Sequence, residues 1–341
     1  RGMYAESDEP GPVIEYGRQK VEAERAAREA LPEAAIVRPS LIYDLTRLPR
    51  HLSFAVDGIK SGREFTFFTD EYRCPVLADE LAEIGKERDQ QMYALIKDAL
   101  EQNQFQLLYQ PIVSLQGDEG EKYEVLVRML NDEGDHILPS QFLPIAEQTG
   151  QVAEIDRWVI NNAVQVLAEH RARGADTQFF IKICAATLLD DGLVPCIQQC
   201  ITEHRLPGDS LIFEIAEKHA AQHLKQAKTL VKTLQDLHCK SALEHFGASP
   251  NSFQLLKHLP VDFLKVDGSF IHNLATDNNN QAMVKSILDT ASSMNKQCIA
   301  EYVQDAHSLA VLWQSGINYI QGNFLQEPSE ALNYDFSGAV A

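Results

Sequence analysis

Residues 211–217 read LIFEIAE, a short run with apolar side chains on both faces and one carboxyl, Glu214, in its middle. A run of this length, rich in β-branched and aromatic residues, reads as a strand covered on both sides. A lone charge in such a strand is costly unless it is paired or faces a site. The pattern recurs along the chain. Glu124 sits in YEVLVRM, Lys182 in FFIKICA, Glu244 in SALEHFG, Lys265 in DFLKVDG, Glu301 in CIAEYVQ and Gln321 in NYIQGNF. Helix-like stretches separate several of these strands. Seven strands with polar tips predict an α/β fold, a (β/α) barrel whose strand ends line one pocket. Scattered ion pairs are the other reading that these residues allow.

The 341 residues suffice for such a barrel of about 250 residues and a smaller unit. A net charge of −19 argues against a nucleic-acid polymer as partner, because phosphate neutralisation needs a basic surface. A small anionic ligand at a local basic spot stays compatible with it. No apolar run approaches about 18 residues, so no membrane span is expected. No signal peptide opens the chain, although its start at Arg1 leaves an upstream segment open. The cysteines, Cys74, Cys184, Cys196, Cys200, Cys239 and Cys298, are scattered without zinc spacing. They read as reduced thiols of a cytoplasmic protein.

The first 85 residues differ in character from the rest. A polar opening precedes a helix-like stretch from Tyr16 to Leu31, a strand-like AIVRPSLIY (35–43) and a short helix near 77–84. Tyr16 and Lys20 stand one helical turn apart on one face, most often just a surface pair. The strings YGRQKVEAER, AIVRPSLIYD and FTDEYRCPVLADELAEI resemble the C-terminal half of an extended short-chain dehydrogenase/reductase of the dTDP-4-dehydrorhamnose reductase type. In that family a Tyr acid is activated by such a Lys. The Gly-rich strand–turn–helix that holds a dinucleotide is absent, so no working cofactor site is expected. A lead-in helix over 86–104, with an apolar stripe at Met92, Leu95, Ile96 and Leu100, marks the boundary.

From Phe105 to residue 336 the pattern is one domain. FQLLYQPIVSL and KYEVLVRML flank a turn with Gly117 and Gly120, which predicts an antiparallel pair. Helices follow at 139–148 and 155–171. Strands are then expected at 178–185, 211–217, 240–246, 262–267, 297–303 and 318–322, with helices at 220–237, 281–294 and 306–315. The expectation is a modified (β/α)8 TIM-like barrel with an antiparallel first strand, preceded by a small α/β fragment.

The strings YQPIVSL, EVLVR, FLPIAEQTG, IDRWVI, LPVDFLKVDGSF, AEYVQ and INYIQG, closed by Pro328, follow one another in the order found in EAL domains. These are cyclic-di-GMP phosphodiesterases and their inactive relatives, and the resemblance covers residues 92–336. The tail LQEPSEALNYDF and the EVL variant at Glu124–Leu126 resemble a degenerate branch that binds cyclic-di-GMP without hydrolysing it. An active site of this family implies hard divalent cations on oxygen ligands. Carried over by position, Glu124, Glu214, Lys265 and Glu301 are retained. Lys182 replaces an Asn ligand, Glu244 and His245 replace an Asp pair, and Gln304 and Tyr302 replace a Glu and a Gly.

An ammonium has no lone pair, so Lys182 cannot ligate a metal. Placed among Glu124 and Glu214 it would pair with them; as a plain strand-end lysine it would face solvent. His245 and Glu244 leave a rearranged metal site open. No catalytic residue, no metal and no required cofactor is therefore expected, and the chain is expected not to be an enzyme. The ligand positions look better kept. Arg128 suits a phosphate, and Gln110 and Gln321 face the same mouth. Leu126 and Pro328 offer apolar walls. Asp156 can accept from a guanine edge, or merely act as a cap or pair with Arg157. Tyr302 can stack on a base, or belong to the core. The leading expectation is a cyclic-di-GMP receptor, and the resemblance implies a PilZ-domain adaptor and a role in type IV pilus assembly and twitching motility. A weak metal-dependent phosphodiesterase giving pGpG is the alternative. An oxidoreductase in the first segment is the third reading.

Overall fold

The computed structural model describes residues 42–43, 76–131 and 133–338. The chain divides into two compact units, 1–91 and 92–341. In the first, β1 (Ile42–Tyr43) pairs in parallel with β2 (Val76–Leu77). The helix expected from Tyr16, the Tyr16–Lys20 pair and most of the strand expected at 35–43 lie outside the described residues.

The two helices expected at 77–84 and 86–104 are one, Ala78–Glu101. Gly85 costs about 1 kcal/mol in a helix interior and does not break it. Its apolar stripe runs through Met92, Ile96, Ala99 and Leu100, which pack on the core, at the i, i+4, i+7, i+8 spacing of one helix face. Leu95, expected on that stripe, is exposed.

Nine strands form the main sheet of the described residues, in the order β3-β11-β10-β9-β8-β7-β6-β4-β5. They are β3 (Phe105–Ser114), β4 (Glu121–Leu130), β5 (His136–Ile137), β6 (Thr177–Ile183), β7 (Leu211–Ala216), β8 (Lys240–Phe246), β9 (Phe263–Val266), β10 (Gln297–Ala300) and β11 (Tyr319–Gln321). Pairing of β3 with β4 closes eight of them into a barrel, and β5 extends β4 at the rim. As expected, the first strand is antiparallel, to both β4 and β11. The hairpin turn explains this. Gly117 takes φ 82°, and the Ser114 hydroxyl accepts the amides of Gln116 and Asp118, each at 3.1 Å. Six residues (115–120) cannot cross over a sheet, so the chain must return beside itself.

The connecting helices differ from expectation at several points, an unanticipated short helix at Gly268–Ile271 among them. Residues 193–204 form an unanticipated helix, Leu193–His204. Pro195 reads as a breaker, yet it stands in the first turn, where an N–H has no helical partner. A short helix, Ser252–Leu256, was also not anticipated. The single helix expected at 220–237 is two, Glu217–Gln222 and Leu224–Asp236, with His223 between them at φ −120° and ψ 45°. The Glu217 carboxylate accepts the Gly247 amide at 3.0 Å, which ties the first of these turns to the loop after β8.

The strands alternate between two cores. Val125, Ile181, Phe213, Leu243, Leu264, Cys298 and Ile320 face the helices. Ile112, Phe180, Ile212, Ala242, Phe263, Ile299 and Tyr319 form a separate apolar layer inside the barrel. Two residues further towards the strand ends stand Gln110, Glu124, Lys182, Glu214, Glu244, Lys265, Glu301 and Gln321, except that Glu124 lies two beyond Lys122 rather than beyond an apolar residue. The polar layer thus rests on an apolar floor. Phe180 is fully buried in that floor, edge-on to Phe263 at a centroid separation of 5.2 Å. Replacing Phe180 with Ala is expected to destabilise the chain by about 3–5 kcal/mol. Denaturant unfolding measures this, and an unchanged midpoint would show that the floor is not packed.

Candidate functional site

The seven charged or polar strand ends meet inside one barrel. Lys265, fully buried, places its Nζ 2.9 Å from Glu124, 3.0 Å from Glu214 and 3.1 Å from Glu301. Lys182 places its Nζ 2.7 Å from Glu124 and 2.7 Å from Glu244. Gln321 donates to Glu124 and, at 3.0 Å, to Gln110. Gln110 donates in turn to Asn323 at 3.1 Å and to the Gln326 carbonyl at 3.3 Å. Strand register accounts for the meeting. Lys182 lies beside Glu214, Gln110 beside Glu124 and Lys265 beside Ile299, two residues before Glu301.

Two ammonium groups face four carboxyls. Burial works against the charge on Glu124 and Glu244, but Lys182 and Lys265 hold both below the usual carboxylate range. Burial prevails at Glu214 and Glu301, which are pushed up against the pull of Lys265, with neighbouring carboxylates adding to the rise. Burial also opposes the charge on both lysines, and the surrounding carboxylates more than reverse it. The two ammonium groups thus favour the charged form most at Glu124 and Glu244, and burial disfavours it most at Glu214 and Glu301.

The family resemblance implies a divalent metal here. Glu124, Glu214 and Glu244 each offer an oxygen within 4.8 Å of the others, the hard-donor set such a cation takes. The Lys182 and Lys265 ammonium groups lie among those oxygens. A dication beside Lys182 would meet a like charge at the same carboxylates. The residues present do not fit a metal with Lys182 in this place.

His245 does not join the cluster. It is exposed, and its Nδ1 lies 3.1 Å from Asp267. Its φ of 53° falls in a register irregularity between β8 and β9, which turns the side chain away from that of Glu244. Tyr302 is 59% exposed, not core, also at positive φ, 58°. The strand expected to run to 303 ends at Ala300 for this reason. The Tyr302 ring lies against Gly268, where an added Cβ would come within 2.4 Å of it.

Leu126 and Arg128 continue the Glu124 side of β4 towards the mouth, opposite Leu108 and Gln106. Both are half-buried, and Arg128 donates to the Val127 carbonyl at 2.8 Å. Pro328 arrives through the next residue, because Ser329 bridges Tyr109 by two backbone bonds of 2.7 and 3.0 Å. Asp156 is buried and accepts the Cys184 amide at 2.8 Å, while its neighbour Arg157 pairs with Asp190. Sequence reasoning missed Asp267, Asn323 and Glu217. Asp267 carries a signal, since Asp-Gly-Ser after a strand is a helix cap, and Asp267 accepts the Ser269 amide at 3.0 Å. Nothing local marks Asn323 or Glu217.

Asp156 makes a measurable prediction. Burial pushes its carboxyl from 3.8 up to about 6. Between those values the folded chain holds a proton that the unfolded chain has released, so this group's contribution to stability falls as pH rises through the window. The loss amounts to ~3 kcal/mol and is removed by Asp156→Asn. Unfolding free energies of both proteins from about pH 4 to about pH 6 should diverge by that amount. A pH-independent difference would place the charged carboxylate in contact with water.

Comparison with known proteins agrees with this geometry. The EAL domain family matches residues 94–328, and the RmlD substrate binding domain matches residues 1–104. The cyclic di-GMP phosphodiesterase PdeF of Escherichia coli is 32% identical over 238 residues, 70% of this chain and 32% of that protein. The cyclic di-GMP phosphodiesterase PdeB of Shewanella oneidensis is 32% identical over 258 residues, 75% of this chain and 30% of that protein. The chain thus spans about a third of the length of the curated relatives it matches. The FimX EAL domain of Pseudomonas aeruginosa, bound to c-di-GMP, superposes with a TM-score of 0.69 at 44% identity, covering 72% of this chain and 99% of that one. The Xanthomonas citri FimX EAL domain in complex with c-diGMP gives 0.71 at 30% identity, covering 74% and 99%. The expectation that the chain is not an enzyme is overturned by the relatives, several of which are named cyclic di-GMP phosphodiesterases. No helix among the described residues is long and apolar enough to cross a membrane. With 94–328 matched and strand order, register and polar layer in place, the chain belongs to the EAL domain family.

Proposed function

We propose that the barrel mouth is a receptor site for cyclic di-GMP and that binding there needs no divalent metal. The observation that carries this reading is the pair of ammonium groups, Lys182 and Lys265, among the carboxylates at the floor of the mouth. The likeness to FimX EAL domains that hold the dinucleotide supports the ligand class. In this proposal Arg128 binds a phosphate through charge-assisted hydrogen bonds. Tyr302 stacks on a base, and Leu126 and Pro328 line the walls. Gln110 and Gln321 close the floor. Asp156 is buried, and a guanine N1–H there must compete with the Cys184 amide. The FimX likeness alone supports a further part of the proposal: a cytoplasmic role in type IV pilus assembly and twitching motility through a PilZ-domain adaptor. Failure of a PilZ-domain protein to co-elute with the ligand-loaded chain would remove that part.

Calorimetry in EDTA should give saturable cyclic di-GMP binding at micromolar or lower concentration. Loss of binding on chelation would refute the metal-free site. Arg128→Ala should weaken binding by about 1.5–3 kcal/mol, the range for hydrogen bonds to charged groups. An unchanged affinity would put the phosphate elsewhere.

A second reading, hydrolysis to pGpG, is favoured by the retained Glu124, Glu214, Lys265 and Glu301 and by the relatives named as phosphodiesterases. If Lys182, Glu244 and His245 restrain that chemistry, then Lys182→Asn with Glu244→Asp and His245→Asp should raise Mn-dependent pGpG formation above that of the unmodified chain. Chromatography of the product measures it, and equal rates would show that these three positions do not limit turnover.

A further inference from the structure

Lys265 and Lys182 are both ammonium groups of the same cluster, but their surroundings differ. An ammonium has three N–H donors and no acceptor. Lys265 is fully buried, and three carboxylates, Glu124, Glu214 and Glu301, lie within 3.1 Å of it, one for each donor. Lys182 has two, Glu124 and Glu244, and its side chain is 41% exposed at the strand ends. One donor of Lys182 is therefore left for a group arriving from the mouth. That group must be an acceptor, and beside a positive charge an anionic one is favoured. Arg128 stands on the Glu124 side of β4, four residues further towards the rim. The approach from the rim to the floor thus passes one guanidinium and ends at one ammonium.

We propose that Lys182 is itself a ligand-contacting residue, whose third N–H binds a phosphodiester oxygen of the dinucleotide where a metal-dependent relative would use a cation. This rests on the receptor reading above and adds to it the source of the positive charge. It also explains why the metal does not fit. The carboxylates that would hold a metal, Glu124 and Glu244, here hold Lys182 in position. Glu124 is shared with Lys265 and Gln321, which fixes its orientation. Lys182 is thereby a pre-placed donor, and its rotamer freedom is already restricted before the ligand arrives.

A lysine could also serve only to neutralise the acids, and the experiment separates the two roles. Cyclic di-GMP affinity is measured by calorimetry in EDTA for the unmodified chain, for Lys182→Met, and for Lys182→Met combined with Glu244→Gln. The combined variant removes one carboxylate charge together with the ammonium. Direct contact predicts that both variants bind roughly 10–100-fold more weakly. Recovery of the combined variant to within about twofold would make Lys182 a neutraliser and overturn the proposal, as would an unchanged Lys182→Met. A measurement on the unmodified chain covers the case in which the variants do not fold. Acylation of Lys182, followed by mass spectrometry, should slow at least severalfold when cyclic di-GMP is present. An unchanged rate with ligand bound overturns the contact. Absence of any binding by the unmodified chain overturns the receptor reading itself, which the other outcomes leave standing.

Discussion

The interior of this barrel is organised around one fully buried ammonium, Lys265, and the three carboxyls that surround it. An unpaired charge at that depth would be strongly destabilising, and removing any one partner leaves the others exposed to the same penalty. The strands β4, β7 and β9 and the residue after β10 must therefore arrive at one level. Their register does this, and the apolar layer below them, from Ile112 to Tyr319, keeps water from reaching the pairs from the other end. The polar layer is held by these ion pairs and by the packed floor on which it stands.

These charges also bear on the chemistry available at the mouth. Four carboxyls with one ammonium would carry excess negative charge, the setting that draws a divalent ion. Lys182 adds a second positive charge among them, and burial pushes the Glu214 and Glu301 carboxyls towards their neutral form. One residue on β6 thereby puts an ammonium between two of the carboxylates that could otherwise share a cation. Retention of Glu124, Glu214, Lys265 and Glu301 keeps the chain within the family geometry, beside relatives named as phosphodiesterases.

The mouth is finished by segments that do not belong to the strands. The antiparallel β3 meets β11 only over Ile112–Ser114, so its other half has an open edge. The tail takes that edge at Tyr109 through Ser329, which brings Pro328 to the rim. After β10, Tyr302 is held in a left-handed conformation beside Gly268, a placement that costs of order 1–2 kcal/mol for a residue with a Cβ. Both devices are loop segments carried by the barrel.

Much of this was legible in the sequence by itself. Charges at the ends of apolar runs such as LIFEIAE and DFLKVDG require a shared interior, because isolated burial is too costly. That reasoning determined the barrel and the membership of the polar layer, and the turn with Gly117 and Gly120 determined the antiparallel first strand. The chain's period of strand and helix also placed most elements, since local apolar pattern decides them. What it could not determine is which charges pair. Lys182 was expected beside Glu124 and Glu214, yet its ammonium lies between Glu124 and Glu244, while Lys265 holds Glu214. The partition depends on barrel stagger and on rotamers, which sequence spacing does not encode. The turning of His245 towards Asp267, the burial of Asp156 under the Cys184 amide and the exposure of Tyr302 were decided in the same way. Each follows from backbone conformation and from contacts between residues far apart in the chain, and only the closed barrel brings those contacts into being.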